Sequence, residues 1–336
     1  MYVIRPIRKK DLPSLEKFAA TAGAGVTSLP KQPGLLRKRL ERSLESFTCY
    51  PPAENGRYLF VVEDLSTAHL GGTCAIMAKT NGDEHGYVYR VEEIEMPRSK
   101  LPAPESMTLL HPIRHRAFAS EVAGLYLLPQ FRHAGLGRLL SLSRFLFIAS
   151  FPKHFRSTLI AEMRGHIEKN FYSPFWEAVG RKFMDLDFKD LLLEIAKDDS
   201  FIPNIVPRIP IYAAMLPKKV QRMIGKTHPH TRKALKMLLN EGFRFTGEVD
   251  ILAGGPKITC QTSMVRSISE SKLVVIEKVV PAIEQSYGTY LVSNVRLDFR
   301  CTIAPMRFNE GAMISDEVAD ALQVETGDWI RYVGTQ

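Results

Sequence analysis

The segment EVAGLYLLPQFRHAGLGRLLSLSRFLFIAS, residues 121–150, joins a strand to a helix through a glycine-bearing turn. Its first part, residues 122–128, is an apolar run broken at Pro129, the pattern of a buried strand that ends in a turn. Gly124 lies inside that run, where glycine marks a bend or a close backbone approach. Arg132, Gly135 and Gly137 follow in an R-x-x-G-x-G spacing, and Leu139, Leu140, Leu142, Phe145, Leu146 and Ile148 then recur at helical intervals. Two glycines at the mouth of a helix admit a ligand close to the backbone, and the first free N–H groups carry the positive end of the helix dipole. An anion is the expected occupant, phosphate above all. An ordinary strand-to-helix turn has the same spacing, so the surroundings decide. The fingerprint G-x-G-x-x-G and the Walker lysine are both missing, and the arginine precedes the glycines, within reach of the same anion.

Toward the N-terminus, residues 1–6 predict a strand, and Asp11, Leu12, Leu15, Phe18 and Ala19 a helix that begins beside Pro13. Residues 21–33, TAGAGVTSLPKQP, are irregular backbone of the kind that carries binding groups. Residues 35–47 predict a second helix with its arginines outward. Residues 58–63 and 70–78 predict the two strands of a hairpin, and residues 87–95 a third strand. This order of elements, with the R-x-x-G-x-G loop, resembles the GCN5-related N-acetyltransferases. The resemblance implies an α/β fold whose glycine loop holds the pyrophosphate of an acyl-coenzyme A. It also implies that the strand before the loop splays from its neighbour, so that a backbone N–H polarises the thioester carbonyl. On that basis Leu125, Tyr126 and Leu127 flank the acyl carbon, Arg132 and Gly135 belong to the phosphate loop, and Leu136, Gly137 and Arg138 supply N–H groups to phosphate.

Composition narrows the class. The chain has 336 residues, 45% of them hydrophobic and 24% charged, values of a globular protein longer than one core. A net charge of +9 admits nucleic acid, a membrane surface or an anionic cofactor as partner. The basic residues are scattered, and their densest clusters, 5–10 and 37–42, lack the interleaved aromatics of a nucleic-acid module, so no nucleic acid is expected. No apolar run reaches the roughly 20 residues of a bilayer span, and the first 15 residues lack a signal core. A cytoplasmic protein without a membrane partner is expected. Cys49, Cys74, Cys260 and Cys301 form no C-x-x-C pair and are expected as buried free thiols. His111 and His115, read as loop residues, have no third ligand beside them, so no metal is expected.

Further along, residues 158–163 predict a strand, and Ser173 and Pro174 start a helix as N-cap and N1. In that helix Phe175 and Trp176 stand where the resembled fold usually has Leu-Tyr. The tyrosine protonates the departing thiolate in many members, a service that an indole N–H does not provide. Residues 227–243 predict a helix closed by Gly242, with Pro229 at N1 and His228 near the N-cap. A positive helix end disfavours the imidazolium, so His228 is expected neutral near pH 7, able to take a proton from an ammonium or relay one toward a thiolate. A plain helix cap is the alternative. His230 is expected to point elsewhere, at the surface.

Ordered blocks sharpen the resemblance. VIRPI at 3–7, GVTSLP at 25–30, AEMRG at 161–165, SPFW at 173–176, PIY at 210–212, HP at 228–229 and GGP at 254–256 are similar to the bacterial arginine N-succinyltransferases. That family includes the paired subunits of arginine/ornithine succinyltransferase, and the likeness runs from residue 3 to about 275. It implies succinyl-CoA as donor, L-arginine as acceptor, and N2-succinylarginine and CoA as products, by direct attack in a ternary complex. The family's proton-donor histidine falls on His228 and its succinyl-CoA-contacting leucine on Leu125. Leu128 stands where single-type enzymes tend to carry an acidic residue, which keeps ornithine or another amine open as acceptor. The missing tyrosine keeps open a non-catalytic, CoA-binding partner subunit. A homo-oligomer, or a pairing with a homologous subunit, is the expected assembly. The succinyl carboxylate calls for a cation, and Arg164 at the end of its strand is expected to supply it. An ion pair with Glu162 or Glu168 is the alternative.

From about residue 263, short alternating runs at 273–277, 290–293, 297–302 and 329–333, with a helix at 315–322, suggest a small β-barrel or sandwich. The expected organisation is an acyl-CoA-binding N-acyltransferase domain over 1–195, a helical and β extension carrying His228 over 196–262, and a small β-barrel-like domain over 263–336.

Overall fold

Val3 and Ile4 are fully buried, which draws β1 (Tyr2–Pro6) into the middle of a sheet rather than to its edge. The buried guanidinium of Arg5 is tied to Asp11 at 2.7 Å and to Glu63, so the strand's one interior charge is compensated. These coordinates are a computed structural model that describes all residues except 24–28, 50, 81–85, 98–101, 103, 116–117, 169, 198–200 and 336. Within the 21–33 loop, Ala24 to Ser28 therefore lie outside the described residues.

Two helices follow, α1 (Leu12–Thr21) and α2 (Pro33–Thr48), then the hairpin of β2 (Arg57–Asp64) and β3 (Leu70–Met77). Alternation along β2 divides the core: Phe60 and Val62 face one side of the sheet, Leu59 and Val61 the other, against Phe18, Leu36 and Leu40. Not all of α2's arginines turn outward as expected. Arg39 is half-buried, and burial with the nearby charge of Arg57 pulls its guanidinium down to about 9.

β4 (Tyr87–Glu95) pairs along its whole length with β5 (Ser106–Arg114), a strand that the sequence reading passed over because Pro112 interrupts its alternation. His111 is thus a strand residue and His115 follows the strand's end. β6 (Ser120–Leu127), α3 (Leu136–Ser150) and β7 (Thr158–Glu162) form a strand–helix–strand unit with β6 and β7 parallel. β8 (Ile211–Tyr212), β9 (Arg244–Asp250) and β10 (Pro256–Gln261) complete this half, and the sheet runs β1-β2-β3-β6-β7-β10-β9-β4-β5-β8. The β4–β5 hairpin lies between β3 and β6 in sequence but beyond β9 in space.

α3 covers one face of the sheet, buried nearly all round: Phe145, Phe147 and Ile148 pack with Phe60 and Phe299. α1 and α2 cover the other face. A second core gathers Phe175, Trp176, Phe188 and Leu191 against Tyr89 and Val249.

At the C-terminal end, β11 (Lys272–Val280), β12 (Thr289–Asn294), β13 (Cys301–Pro305), β14 (Arg307–Phe308), β15 (Ala312–Ser315) and β16 (Trp329–Gly334) extend the sheet past β1 through the Ile4–Cys301 pairing. The strand expected over 297–302 begins only at Cys301. The residues before it are spent in a turn held by Asn294, whose side chain donates to Asp298 O and accepts from the Arg300 N–H. Cys74, Cys260 and Cys301 are buried thiols as expected, whereas Cys49 is exposed beyond the end of α2.

Candidate active site

β6 keeps its ladder with β3 from Met77↔Glu121 to Gly72↔Leu127, but a bulge interrupts it where Gly124 adopts a φ of 65°. Its other edge meets β7 at Ser120↔Leu159 and Glu121↔Ile160 alone, after which the two strands part. The bulge is the bend that the glycine in the strand predicts, and the parting from β7 is the splay that the family resemblance implies. Backbone carbonyls along the gap must find other donors. Arg144 reaches Ala123 O at 3.2 Å and Arg132 reaches Leu127 O at 3.1 Å. The bulge also changes which residues face which side. Leu125 and Leu127 pack toward α3, while Tyr126 turns away and donates its hydroxyl to Thr21 Oγ1 at 2.9 Å.

The turn after β6 is built for close approach. Leu136 N–H donates to His133 O at 3.0 Å across Ala134 and Gly135, which have φ of 47° and 72°. Two successive left-handed residues suit glycine best, and Gly135 occupies one of them. Arg138 N–H bonds Gly135 O at 2.9 Å. Leu136 and Arg138, two of the expected phosphate donors, are therefore engaged within the turn itself. Among the described residues no acceptor is present for the N–H groups of Gly135 and Gly137, which open toward solvent at the start of the 15-residue helix α3. Arg132 is exposed beside them, and among the described residues its Nη groups have no partner. This geometry fits a pyrophosphate: free N–H groups, a helix dipole and an arginine converge.

At the open end of β7 the chain continues through Met163 to Arg164. Gly165 and Gly255 allow this segment to pass against the β9–β10 turn, since a Cβ on either would collide with backbone of the other segment. The AEMRG and GGP blocks are thus two sides of one contact. His228 N–H donates to Arg164 O at 2.8 Å, which brings the imidazole to the same place. His228 is the N-cap of a short 3-10 turn, Pro229–Thr231, that leads into the helix Arg232–Asn240. Its Nδ1 accepts from His230 N–H at 3.2 Å, so the neutral ring carries its proton on Nε2. Burial first, then the charges of Arg164, His230 and His166, lower the His228 pKa to about 4. The neutral imidazole was expected from a helix end; the causes found are burial and neighbouring cations.

The Arg164 guanidinium stands without an ion pair among the described residues, and its Nε is buried with no hydrogen-bond partner. Glu168, one of its proposed structural partners, binds Lys219 at 2.9 Å instead. Nη1 lies 3.4 Å from where a Cβ on Gly23 would stand, at the start of the 21–33 loop. An unpaired guanidinium at this position is what a carboxylate-bearing acyl group requires.

The family model described as arginine N-succinyltransferase beta subunit matches residues 2–267, and that of the same subunit's C-terminal domain matches residues 272–334. The chain belongs to the arginine N-succinyltransferase family. The Escherichia coli arginine N-succinyltransferase is 35% identical over 99% of this chain and 97% of its own, and the Salmonella paratyphi B enzyme matches to the same extent. Among solved structures, arginine/ornithine succinyltransferase subunit AI from Pseudomonas aeruginosa superposes with a TM-score of 0.87 at 31% identity, covering 99% of this chain and 98% of that one.

Other residues singled out in this family member's sequence have structural occupations. The Trp176 indole N–H donates to Leu186 O at 2.8 Å inside the second core, far from any proton-donating role. His115 Nε2 pairs with Glu248 at 2.8 Å, and His111 lies 3.7 Å from Glu92, so the two histidines do not converge. His230, expected to point away, is exposed but sets its ring 4.8 Å from that of His228. His166, which the sequence reading missed, has its ring 5.9 Å from His228. Its position two residues past Arg164 was the available signal. A cavity of about 710 Å³ beside Phe171, Tyr172 and Arg181 touches none of the predicted residues.

Proposed function

We propose that the chain transfers the succinyl group of succinyl-CoA to the α-amino group of L-arginine. The observation that carries this reading is the His228–Arg164 hydrogen bond at the mouth of the β6–β7 gap, which sets a neutral imidazole beside a guanidinium that has no ion pair among the described residues. The phosphate loop of Gly135, Gly137 and Arg132 holds the CoA pyrophosphate, and the thioester enters the gap beside Leu125, Tyr126 and Leu127. Backbone N–H groups there stabilise the oxyanion as the amine adds to the carbonyl. Arg164 holds the succinyl carboxylate. The acceptor ammonium loses two protons overall: one reaches the departing thiolate by way of His228, and the other goes to solvent. No acyl-enzyme is required, since the amine attacks the thioester directly.

A second acceptor is favoured by one observation: the relative of known structure is named for both arginine and ornithine. Assembly as a homo-oligomer or with a homologous subunit, and a cytoplasmic location suited to free thiols, belong to the same reading. Purified protein with succinyl-CoA and a panel of arginine, ornithine and lysine, followed by thiol release and product mass, tests it. Release with arginine supports the assignment. Release with none of the amines leaves a non-catalytic CoA-binding subunit and overturns it.

A further inference from the structure

The face of the sheet opposite α3 carries a second polar site just below the gap. Glu121 sits at the last rung where β6 and β7 still pair, and its neighbour Val122 points into the α3 core, so Glu121 points the other way. On β7 the same face presents Ile160, Glu162 and, past the strand's end, Arg164. Cross-strand pairing then sets Lys257 of β10 opposite Glu162, and β9 contributes Glu248 beyond it. Glu121, Glu162, Glu248 and Lys257 all line one cavity of about 210 Å³. That is room for one amino acid, and it lies on the face that leads up to Arg164.

The charges in this cavity are not settled among themselves. Lys257 is only 9% exposed, yet its ammonium makes no hydrogen bond or ion pair among the described residues, although carboxylates stand on both neighbouring strands. An ammonium held on a largely buried lysine and facing a cavity in that state is placed to take an anion. Glu162 is exposed to the cavity and is equally unpaired among the described residues. Burial, with the charge of Glu162, pushes the Glu121 carboxyl up to about 8 against the weaker pull of Arg57 and Lys257. A carboxyl removed from water beside a second carboxylate behaves in this way. Glu248 alone has a partner, His115.

We propose that this cavity is the acceptor subsite, which takes an amino acid with a cationic side chain: Glu162, Glu121 and Glu248 hold the side-chain cation, and Lys257 holds the α-carboxylate. The assignment rests on the transferase reading above and names the groups that select its acceptor. A planar guanidinium gains paired charge-assisted bonds from carboxylates, which a neutral urea of the same shape cannot match.

The test compares kcat/KM for arginine, citrulline and agmatine at saturating succinyl-CoA in wild type, Glu162→Gln and Lys257→Met. Citrulline lacks the side-chain charge and agmatine lacks the α-carboxylate. Glu162→Gln should narrow the arginine-to-citrulline ratio about 10- to 100-fold, through KM more than kcat, with CoA affinity unchanged. Lys257→Met should narrow the arginine-to-agmatine ratio similarly. Glu162 is exposed, so that variant keeps its fold even where the lysine change does not. A folded variant that leaves its own ratio at the wild-type value overturns the subsite. Wild type that fails to succinylate arginine at all overturns the transferase reading instead, so the two failures are distinct.

Discussion

The backbone N–H of His228 donates to the carbonyl of Arg164 at 2.8 Å, although the two residues are 64 positions apart. This bond fixes the imidazole relative to the end of β7 and so to the gap between β6 and β7. It also explains part of the electrostatics. The Arg164 charge, added to burial, is what keeps His228 neutral, and a neutral ring is able to pass a proton without first losing one.

Replacing His228 with alanine should lower kcat about 10²- to 10⁴-fold, the usual contribution of a proton-moving side chain, with CoA affinity little changed. Thiol-release kinetics and calorimetry on the same preparation separate the two effects. Turnover near the wild-type rate would return His228 to the part of a simple cap on the Pro229–Thr231 turn.

His228 also leaves a mark on stability. Its pKa of about 4 lies below the ordinary imidazole value of about 6.5. Between those limits the unfolded chain binds a proton that the folded chain refuses, so stability falls as pH drops from about 6.5 toward 4. Above that window both states are neutral and the residue contributes no slope. Urea unfolding of wild type and His228→Gln at pH 7, 6 and 5 should show the wild type losing ground on acidification. A stability difference independent of pH would contradict the assigned shift.

Much of this site is legible before any coordinates. The apolar run with Gly124 inside it encodes a strand that bulges, because a residue without Cβ tolerates the left-handed φ found there, whereas its parting from β7 was implied by the family resemblance alone. Proline after His228 encodes the cap. Legibility fails where long-range contact decides. Nothing local to residues 87–114 says that their hairpin lies beyond β9, since strand alternation names a face and not a neighbour. Arg39 shows the same limit: an arginine beside outward-facing residues turns into the structure. Two of the expected loop donors, Leu136 and Arg138, spend their N–H groups inside the turn, whose left-handed Ala134 no side chain announces. His166 was passed over because a histidine becomes part of a site only through the segment that folds against it.

Gly135 offers a direct test of the cofactor loop. No atom lies within 4 Å of a Cβ built on it, so aspartate fits in space, and its φ of 72° is one that Asp and Asn tolerate at modest cost. Gly135→Asp should therefore fold while placing a negative charge where the pyrophosphate binds. CoA affinity should fall at least tenfold, and the neutral Gly135→Asn should retain more of it. Calorimetry giving wild-type CoA affinity for a folded Gly135→Asp protein would remove the phosphate loop from the site.

Arg164, proposed above as the partner of the succinyl carboxylate, is tested through the acyl donor. Its guanidinium has no ion pair among the described residues and its Nε is buried without a partner, so an acetyl donor leaves that group unsatisfied whereas a succinyl carboxylate completes it. Discrimination between the donors should then exceed the roughly 10- to 200-fold that an apolar pocket achieves by sensing chain length alone. Arg164→Met keeps most of the side-chain bulk, removes the charge, and leaves the Gly135 turn and the β6 backbone intact. It should lose most of the succinyl preference and retain slow acetyl transfer. The comparison belongs at pH 8, because removing Arg164 also removes one of the charges that lower the His228 pKa, and at that pH the imidazole is neutral in either protein. Equal kcat/KM for succinyl-CoA and acetyl-CoA in wild type would refute succinyl selectivity itself. Preference retained in a folded Arg164→Met protein would leave the selectivity standing and transfer the carboxylate to another cation.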